Sequence, residues 1–116
     1  MQEGFVYILS NKNHTTTYIG VTNDIIRRVV EHKCGLGSKF TTKYNLVDLM
    51  YFEHYNEIID AIDREKQLKN WHREWKWNLI KEENQKLDDL AANWFTKKEL
   101  NDYREGFLND INHDRN

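Results

Sequence analysis

Hydrophobic residues in the first half of the chain fall into three strand-like runs, and later ones recur with helical spacing. Residues 4–10 and 15–21 are rich in aromatic and β-branched residues, and the polar residues 11–14 between them are typical of a turn. These two runs therefore predict a β-hairpin. A third run, residues 46–54, predicts another strand.

A helix is predicted between the second and third strands. Thr22 or Asn23 can cap its N-terminus, and the helical spacing continues to about Cys34. Asp24 suits the first turn because a carboxylate interacts favourably with the helix dipole. The apolar stripe that should be buried consists of Ile25, Ile26, Val29 and Val30. Residues 35–39, which include two glycines, predict a flexible loop after this helix.

Two more helices are predicted after the third strand. Asn56 can cap a helix over residues 57–70, and a further helix is predicted over residues 72–84. The apolar positions of this second stretch are Trp71, Trp75 and Leu79. The element order predicted so far is β-β-α-β-α-α.

The C-terminal part of the chain predicts one last helix. Thr96 and Glu99 have the spacing of a capping box, which indicates a helix that begins there and ends near Phe107. Residues 112–116 are predicted to be a frayed end. No internal repeat is present in the sequence.

Composition changes this picture in two ways. The net charge is −2, which argues against a generally basic nucleic-acid-binding protein, yet the charges are unevenly distributed. Residues 27–43 carry five basic and one acidic side chain, and residues 64–76 carry five basic and two acidic ones. Two such patches could bind phosphates, although from charge alone two solvated helix and loop faces are the more common explanation.

The single cysteine excludes an internal disulfide, so a reducing, cytoplasmic environment is expected. No run reaches the roughly 20 apolar residues that a membrane span needs. The first apolar run is too short for a signal peptide. One domain without a membrane association is therefore expected.

Glu65 is an anomaly on the helix predicted for residues 57–70. It falls within the apolar stripe that consists of Ile58, Ala61, Ile62 and Leu68. Burying a carboxylate alone would cost several kcal/mol. A metal ion or an arginine would offset that cost, and the sequence leaves both partners open.

Asn78 is a weaker anomaly, because it shares the helical face of Trp71 and Leu79. A buried asparagine with satisfied hydrogen bonds is the common explanation, and a residue that positions a ligand is the alternative.

Arg28 and His32 are four residues apart and share one flank of the first helix. Arg28 could stabilise negative charge on a phosphate, and His32 could bind phosphate or carry a proton. Both could also be a solvated helix edge.

Helical geometry hardly separates Arg28 from Arg27, although Arg27 is well placed to pair with Glu31.

Tyr7 and Tyr18 would be core aromatics if they stood alone. A free tyrosine titrates near ~10, so a tyrosine base requires a nearby cation or a proton network. The segment with Lys39, Phe40, Lys43 and Tyr44 combines charges with ring faces, which suits contact with a nucleic-acid backbone and bases.

Together these residues resemble the GIY-YIG nuclease superfamily. Phe5-Val6-Tyr7 is similar to the first motif, with Phe and Val in place of Gly and Ile, and Tyr18-Ile19-Gly20 matches the second motif. Arg28 and Glu65 follow at the distances expected for the family's arginine and metal-binding glutamate. The closer likeness is to small, stand-alone bacterial proteins of this superfamily, and it covers residues 1–83.

The resemblance implies a small, mainly antiparallel three-stranded sheet flanked by helices, an α+β fold. It also implies hydrolysis of DNA with one divalent ion, Mg²⁺ or Mn²⁺, bound by Glu65. Tyr7 and Tyr18 would orient or deprotonate the attacking water, and Arg28 would stabilise the transition state. His32 would assist proton transfer or hold phosphate. The residues assigned to the family's late asparagine are Asn78 or, failing that, Asn70.

The DNA-contacting basic residues expected under this resemblance are Arg27, Lys39, Lys43 and Lys69. Residues 84–116 lie outside it and would form a helical extension that packs on the domain, on a protein partner or on a second copy of the chain. The chain has no room for a separate specificity domain, which predicts structure-selective or weakly selective cleavage. A nucleic-acid-binding module with little or no turnover is the alternative to an endonuclease.

Overall fold

A three-stranded antiparallel sheet with strand order β2-β1-β3 forms the centre of the molecule. The computed structural model describes residues 2–114. Its elements are β1 (Gly4–Ser10), β2 (Thr17–Thr22), α1 (Ile25–Lys33), α2 (Lys39–Lys43), β3 (Asp48–Tyr55), α3 (Ile58–Lys69), α4 (Arg73–Glu83) and α5 (Lys97–Asp114). The predicted α+β class and antiparallel sheet are confirmed.

Strand β1 separates two hydrophobic cores, because successive side chains of a strand point to opposite faces. Val6 and Ile8 pack on one face against Ala61 of α3 and Ile80 of α4. The opposite face carries Tyr7 and Leu9, which pack against Ile25 and Val29 of α1. A fully buried side chain of this size stabilises the fold by roughly 1.5–3 kcal/mol.

The register fixes what each β1 residue faces. Tyr7 is paired with Gly20 on β2 and with Phe52 on β3. The β3 register shifts between Ile8 and Leu9, where β3 contains one extra residue. This bulge brings Leu49 opposite Leu9 while Tyr51 stays opposite Ile8.

The segment after α4 covers the outer edge of β3. The Leu90 amide donates to the Leu49 carbonyl at 2.8 Å, and the Leu49 amide donates to Asp89 Oδ1 at 2.9 Å. Asn84 is buried and its Nδ2 donates to the Met50 carbonyl at 3.0 Å. These bonds satisfy backbone groups that an edge strand would otherwise expose.

The extension predicted as helical over residues 84–116 is helical only from Lys97. The preceding stretch is irregular because its polar groups bond to β3. Trp94 and Phe95 pack against the core on the α1 face, with Ala91 fully buried beside them. Phe107 remains 41% exposed, so a role for this end of the chain in binding a partner or a second copy stays a prediction.

Helix α1 differs from its predicted form at its cap and in its buried stripe. Asp24 is the N-cap, and its carboxylate accepts from the Arg27 amide at 3.1 Å, whereas Thr22 belongs to β2. Ile26 is 59% exposed, and His32 is buried instead. The buried face of α1 therefore includes His32, and both of its ring nitrogens have polar partners.

The other differences concern helix ends. The residue at the N-cap of α3 is Glu57 rather than Asn56, and its side chain makes no capping bond. Helix α5 extends to Asp114, past the predicted end at Phe107. Within the predicted frayed end, residues 112–114 have helical backbone, and 115–116 lie outside the described residues.

The capping box is confirmed, since the Thr96 and Glu99 side chains each accept from the other's backbone amide at 3.1 Å. None of the helices described between residues 2 and 114 has the length and apolar character required to span a bilayer.

Candidate active site

The Tyr7 side chain lies against the α1 face of the sheet and crosses over β2. It is 1% exposed. Gly20 lies beneath it, and a Cβ on Gly20 would come 2.5 Å from Tyr7 Cζ. The glycine of the Tyr18-Ile19-Gly20 motif is therefore the residue that leaves room for the Tyr7 ring.

Helix α1 brings two polar side chains to the Tyr7 hydroxyl. Arg28 Nε donates to Tyr7 Oη at 3.2 Å, and His32 Nε2 lies 3.1 Å from the same oxygen. Residues four apart on a helix lie one above the other on the same face, which explains why both reach one phenol. The shared flank predicted for Arg28 and His32 is confirmed.

The other side of the His32 ring is held by α2, an element that the sequence predicted to be a loop. Ser38 caps α2 by accepting from the Thr41 amide. Thr41 Oγ1 donates to the Ser38 carbonyl at 3.1 Å and lies 3.2 Å from His32 Nδ1. Because a hydroxyl has one proton to donate, His32 Nδ1–H donates to Thr41 and Nε2 accepts from Tyr7.

Gly37 permits this arrangement. A Cβ at position 37 would lie 2.7 Å from His32 Cε1 and 2.9 Å from Thr41 Oγ1. The sequence signal that could have revealed α2 is Ser38 as an N-cap. The glycines before them masked that signal because they favoured a flexible loop.

Burial controls the protonation of the site. Burial raises the pKa of Tyr7 to about 12, although its hydrogen bond with Arg28 works against the shift. Burial, together with the charge of Arg28, lowers the pKa of His32 to about 4. At neutral pH, Tyr7 is therefore a phenol and His32 a neutral imidazole. Tyr7 is a poor base in this state.

Arg28 is distinguished from Arg27 by its contacts. Its side chain is 28% exposed, and Nη1 lies 3.1 Å from Glu31 Oε2. Arg27 is 56% exposed and lies 3.7 Å from the other Glu31 oxygen. Burial would lower the pKa of Arg28, but its hydrogen bond to Tyr7 and the charge of Glu31 raise it. Arg28 is thus a fixed cation with part of its guanidinium open to solvent.

Tyr18 is the half-buried aromatic of the site. Its ring centroid lies 6.2 Å from that of Tyr7, 5.9 Å from His32 and 6.4 Å from Phe40. Tyr18 therefore connects the buried phenol to the exposed surface of α2.

Glu65 lies on the other side of the sheet. Its helix, α3, packs on the Val6 and Ile8 face, whereas Tyr7 occupies the α1 face. The Glu65 side chain is 16% exposed and lies 3.0 Å from Lys69 Nζ. Strand β2, which carries Tyr18, is an edge strand of the sheet, so the two faces meet beside it.

A divalent ion fits this arrangement if Glu65 is its one protein ligand. Within the part of the chain that the structure describes, no three His, Cys, Asp or Glu side chains converge as a metal site. Mg²⁺ often binds through one carboxylate, water and substrate phosphate oxygens. Glu65 can supply that carboxylate once Lys69, which is 54% exposed, moves away. Such an ion would be completed by the substrate.

The remaining predicted site residues lie apart from this cluster. Asn78 is exposed, so its predicted place in a buried stripe is wrong, because α4 turns a different face to the core around Ile80. Asn70 ends α3 and is also exposed. Among the residues whose burial the structure describes, the buried asparagine is Asn84, which bonds to β3. Its position at the end of the predicted helix concealed it.

A second polar cluster lies on the α3 face. Glu53 accepts from Tyr51 at 2.5 Å and from Tyr55 at 2.8 Å, and Arg64 Nε lies 3.0 Å from Glu53 Oε1. Burial would raise the pKa of Glu53, but the bonds from Arg64 and Tyr51 lower it. An arginine was one of the two partners considered for Glu65 from the sequence. In the structure it is Glu53 that is paired with an arginine, whereas Glu65 is paired with Lys69.

The family model of the GIY-YIG catalytic domain matches residues 3–78. The chain belongs to the GIY-YIG family. The match contains all four residues of the Tyr7, Tyr18, Arg28 and His32 cluster, together with Glu65. Membership places this fold in a nuclease family.

Similar proteins are small GIY-YIG relatives. A UPF0213 protein of Staphylococcus epidermidis is 35% identical over 82 residues, which cover 71% of this chain and 99% of that protein. A UPF0213 protein of Haloquadratum walsbyi is 37% identical over 78 residues, which cover 67% of this chain and 86% of the relative.

The fold is also similar to the solution NMR structure of a UPF0213 protein from Bacillus halodurans. The TM-score is 0.50 at 25% sequence identity, and the match covers 79% of this chain and 98% of the other. The GIY-YIG chain described here therefore contains a stretch that this relative lacks.

Proposed function

We propose that this protein is an endonuclease that hydrolyses DNA phosphodiester bonds with one Mg²⁺ or Mn²⁺ ion, in DNA repair, recombination or processing. The observation that carries the proposal is the chain of hydrogen bonds from Arg28 through Tyr7 to His32. It fixes a partly exposed guanidinium beside Tyr18 in a chain of the GIY-YIG family.

Arg28 is the group suited to the phosphate. Phosphodiester hydrolysis concentrates negative charge on the phosphoryl oxygens in the transition state, and a preorganised cation stabilises that charge. Tyr7 and Glu31 hold Arg28 from two sides, so little reorganisation is needed when a substrate binds. The open part of the guanidinium would face the phosphate.

The two tyrosines have different roles in this proposal. Tyr18 is half-buried and can orient the attacking water. Tyr7 is inaccessible to solvent and has a raised pKa, so it positions Arg28 instead of deprotonating water. His32 is equally buried and acts through Tyr7.

Glu65 would hold the divalent ion. When bound, such an ion supplies charge neutralisation at the phosphate and acidifies a water molecule. Lys69 is the residue that must give way, and its exposed side chain can then reach a DNA phosphate.

The test is cleavage of single-stranded, duplex and branched DNA with Mg²⁺ or Mn²⁺. Arg28→Ala should lower the rate by about 10²- to 10³-fold, the usual effect of removing a preorganised stabilising group. Lys81→Ala is the control and should leave the rate unchanged, since Lys81 is an exposed cation on α4 that belongs neither to the cluster nor to the predicted DNA contacts. If the wild type and Glu65→Ala both show only background cleavage on every substrate, the proposed endonuclease activity is wrong.

A nucleic-acid-binding module with little or no turnover is the second candidate. The observation that favours it is the pairing of Glu65 with Lys69 across the sheet from Tyr7. It predicts salt-dependent DNA binding that Glu65→Ala leaves unchanged, with no cleavage by either protein.

A further inference from the structure

Acidic residues are missing from two segments that meet at one end of the sheet. The chain contains 19 Asp and Glu residues, yet residues 4–23 and 32–47 contain none. These segments include the β1–β2 turn with Lys12, and α2 with Lys39 and Lys43. The three lysines therefore lie on segments with no carboxylate of their own, and Asp48 of β3 is a nearby carboxylate whose charge interacts with Lys12. The excess of lysines over carboxylates at this end of the sheet suits a polyanion.

Helix α2 has two sides with different partners. Thr41 is buried and bonds to His32, as described above. Phe40 and Tyr44 remain 44% and 42% exposed, with their ring centroids 4.9 Å apart. Lys43 Nζ lies 5.3 Å from the Tyr44 ring centroid. The same short helix thus fixes the site histidine and presents two adjacent rings to solvent.

These rings continue from the candidate active site to a cavity. Tyr18 approaches Phe40, and Phe40 approaches Tyr44. Beyond Tyr44 lies a cavity of about 440 Å³, lined by Tyr44, Val47 and the polar residues Asn11, Lys12, Asn13 and Asn45. Cavities of this size accept small ligands, and amide side chains can bond to base edges.

We propose that α2 and the β1–β2 turn form a binding site for unpaired nucleotides of single-stranded DNA. Phe40 and Tyr44 stack bases, the three lysines contact phosphates, and the cavity beside Tyr44 receives one nucleotide. Stacking requires an accessible base face, which duplex DNA offers only at its ends. This inference rests on the proposed function in naming its substrate, a strand that is unpaired beside the cleaved bond.

The experiment measures binding without hydrolysis. Fluorescence anisotropy in EDTA is recorded for a labelled 12-nucleotide dT strand and for a 12-base-pair blunt duplex. Phe40→Ala/Tyr44→Ala should weaken strand binding by at least about 30-fold, since two stacked bases lose about 1 kcal/mol each at the lower limit. Trp75→Ala is the matched control, because Trp75 is 51% exposed on α4 and should leave binding unchanged.

Two further variants test the chemistry. Phe40→Trp/Tyr44→Trp retains stacking surface and should restore binding. Lys12→Gln/Lys39→Gln/Lys43→Gln should reduce the slope of log affinity against log salt by about 2, as expected for three phosphate contacts on a single strand. Circular dichroism checks the fold of each variant.

The inference is overturned if Phe40→Ala/Tyr44→Ala binds the strand as tightly as Trp75→Ala does, or if the duplex loses as much affinity as the strand. It is also overturned if a uridine 12-mer binds at least tenfold more tightly than the dT strand. If strand binding depends on both rings but no condition gives cleavage, the binding site proposed for α2 stands and the proposed hydrolysis is wrong. If the protein cleaves DNA but its binding does not depend on Phe40 and Tyr44, the proposed hydrolysis stands and the binding site proposed for α2 is wrong.

Discussion

Gly20 lies directly beneath the Tyr7 ring, in the position paired with Tyr7 across β1 and β2. No other residue type leaves this space free, since any Cβ would overlap the phenol. The ring orientation in turn sets the position of the hydroxyl that Arg28 and His32 share. The absence of a side chain at Gly20 therefore sets the geometry of the whole cluster.

Replacement of Gly20 by alanine should displace Tyr7 and break both of its hydrogen bonds. We expect a loss of about 1–3 kcal/mol in the free energy of unfolding, typical of overpacking, and loss of DNA cleavage. Urea denaturation and a cleavage assay measure the two effects. Gly106→Ala is the control, because Gly106 has open space around it on α5 and should be unchanged or slightly stabilised. Wild-type stability of Gly20→Ala would contradict the packing described here.

Tyr7→Phe tests whether the hydroxyl positions Arg28. The variant keeps the ring but leaves the buried His32 Nε2 without its partner, which should cost about 1–3 kcal/mol. Tyr51→Phe is matched, since it removes a buried hydroxyl bonded to Glu53 on the opposite face. We expect comparable destabilisation in both variants, but a drop of at least tenfold in kcat only for Tyr7→Phe. Equal kcat in the two variants would show that the Tyr7 hydroxyl is structural.

His32 should make stability depend on pH. Its pKa is about 4 in the folded protein against an ordinary value of 6.5. Between these values the unfolded chain binds more protons, so the free energy of unfolding falls as the pH is lowered from about 6.5 to 4. The full difference corresponds to about 3 kcal/mol.

Urea denaturation between pH 7.5 and 4 should show a shallower decline for His32→Gln than for the wild type. His54→Gln is the control, because His54 is exposed and paired with Glu3 at the surface. Parallel curves for the wild type and His32→Gln would mean that His32 is not buried as a neutral ring.

Local patterns predicted the strands and most helices of this protein, and the resemblance predicted the antiparallel order of the sheet. The Arg28 and His32 pair followed from helical spacing alone. Its phenol partner did not, because the contact spans 21 residues between β1 and α1. Sequence spacing cannot give such a distance without the register and the crossing of the helix over the sheet.

Two failures have physical causes in particular residues. Ile26 fits an apolar stripe, but the buried face of α1 follows Ile25, Val29 and His32 at i, i+4 and i+7, and the His32 ring nitrogens find partners in Tyr7 and Thr41. Asn84 is buried, whereas Asn78 is not, because the chain leaves α4 and crosses the edge of β3 at that point. Tertiary contacts made by irregular segments have no periodic signal.

The pairing of Lys33 with Asp89 connects α1 to the segment that crosses β3. Lys33 Nζ lies 2.6 Å from Asp89 Oδ2, with both side chains largely buried. Asp89 Oδ1 also accepts from the Leu49 and Ala91 amides at 2.9 and 3.0 Å. One carboxylate therefore holds the helix that carries His32, the edge strand and its own loop.

Asp89→Ala should destabilise the protein more than Lys33→Met. The aspartate variant leaves a partly buried cation and two backbone amides without their acceptor, for an expected loss of about 2–4 kcal/mol. Lys33→Met keeps the alkyl chain and leaves Asp89 with both amides, so a smaller loss of about 1.5 kcal/mol is expected, the lower limit for a hydrogen bond to a charged group. Urea denaturation gives the two values, with Asp88→Ala as an exposed neighbour that should change little.

Hydrogen exchange at the Leu49 amide separates a local from a global effect. Under native conditions it should accelerate in Asp89→Ala by more than the loss of global stability accounts for, because its acceptor is gone. In Lys33→Met the acceleration should match the change in global stability. If Asp89→Ala unfolds at the same urea concentration as Asp88→Ala, the Asp89 carboxylate does not contribute to the stability of the GIY-YIG domain, and its bonds to Lys33 and to the Leu49 amide are structurally dispensable.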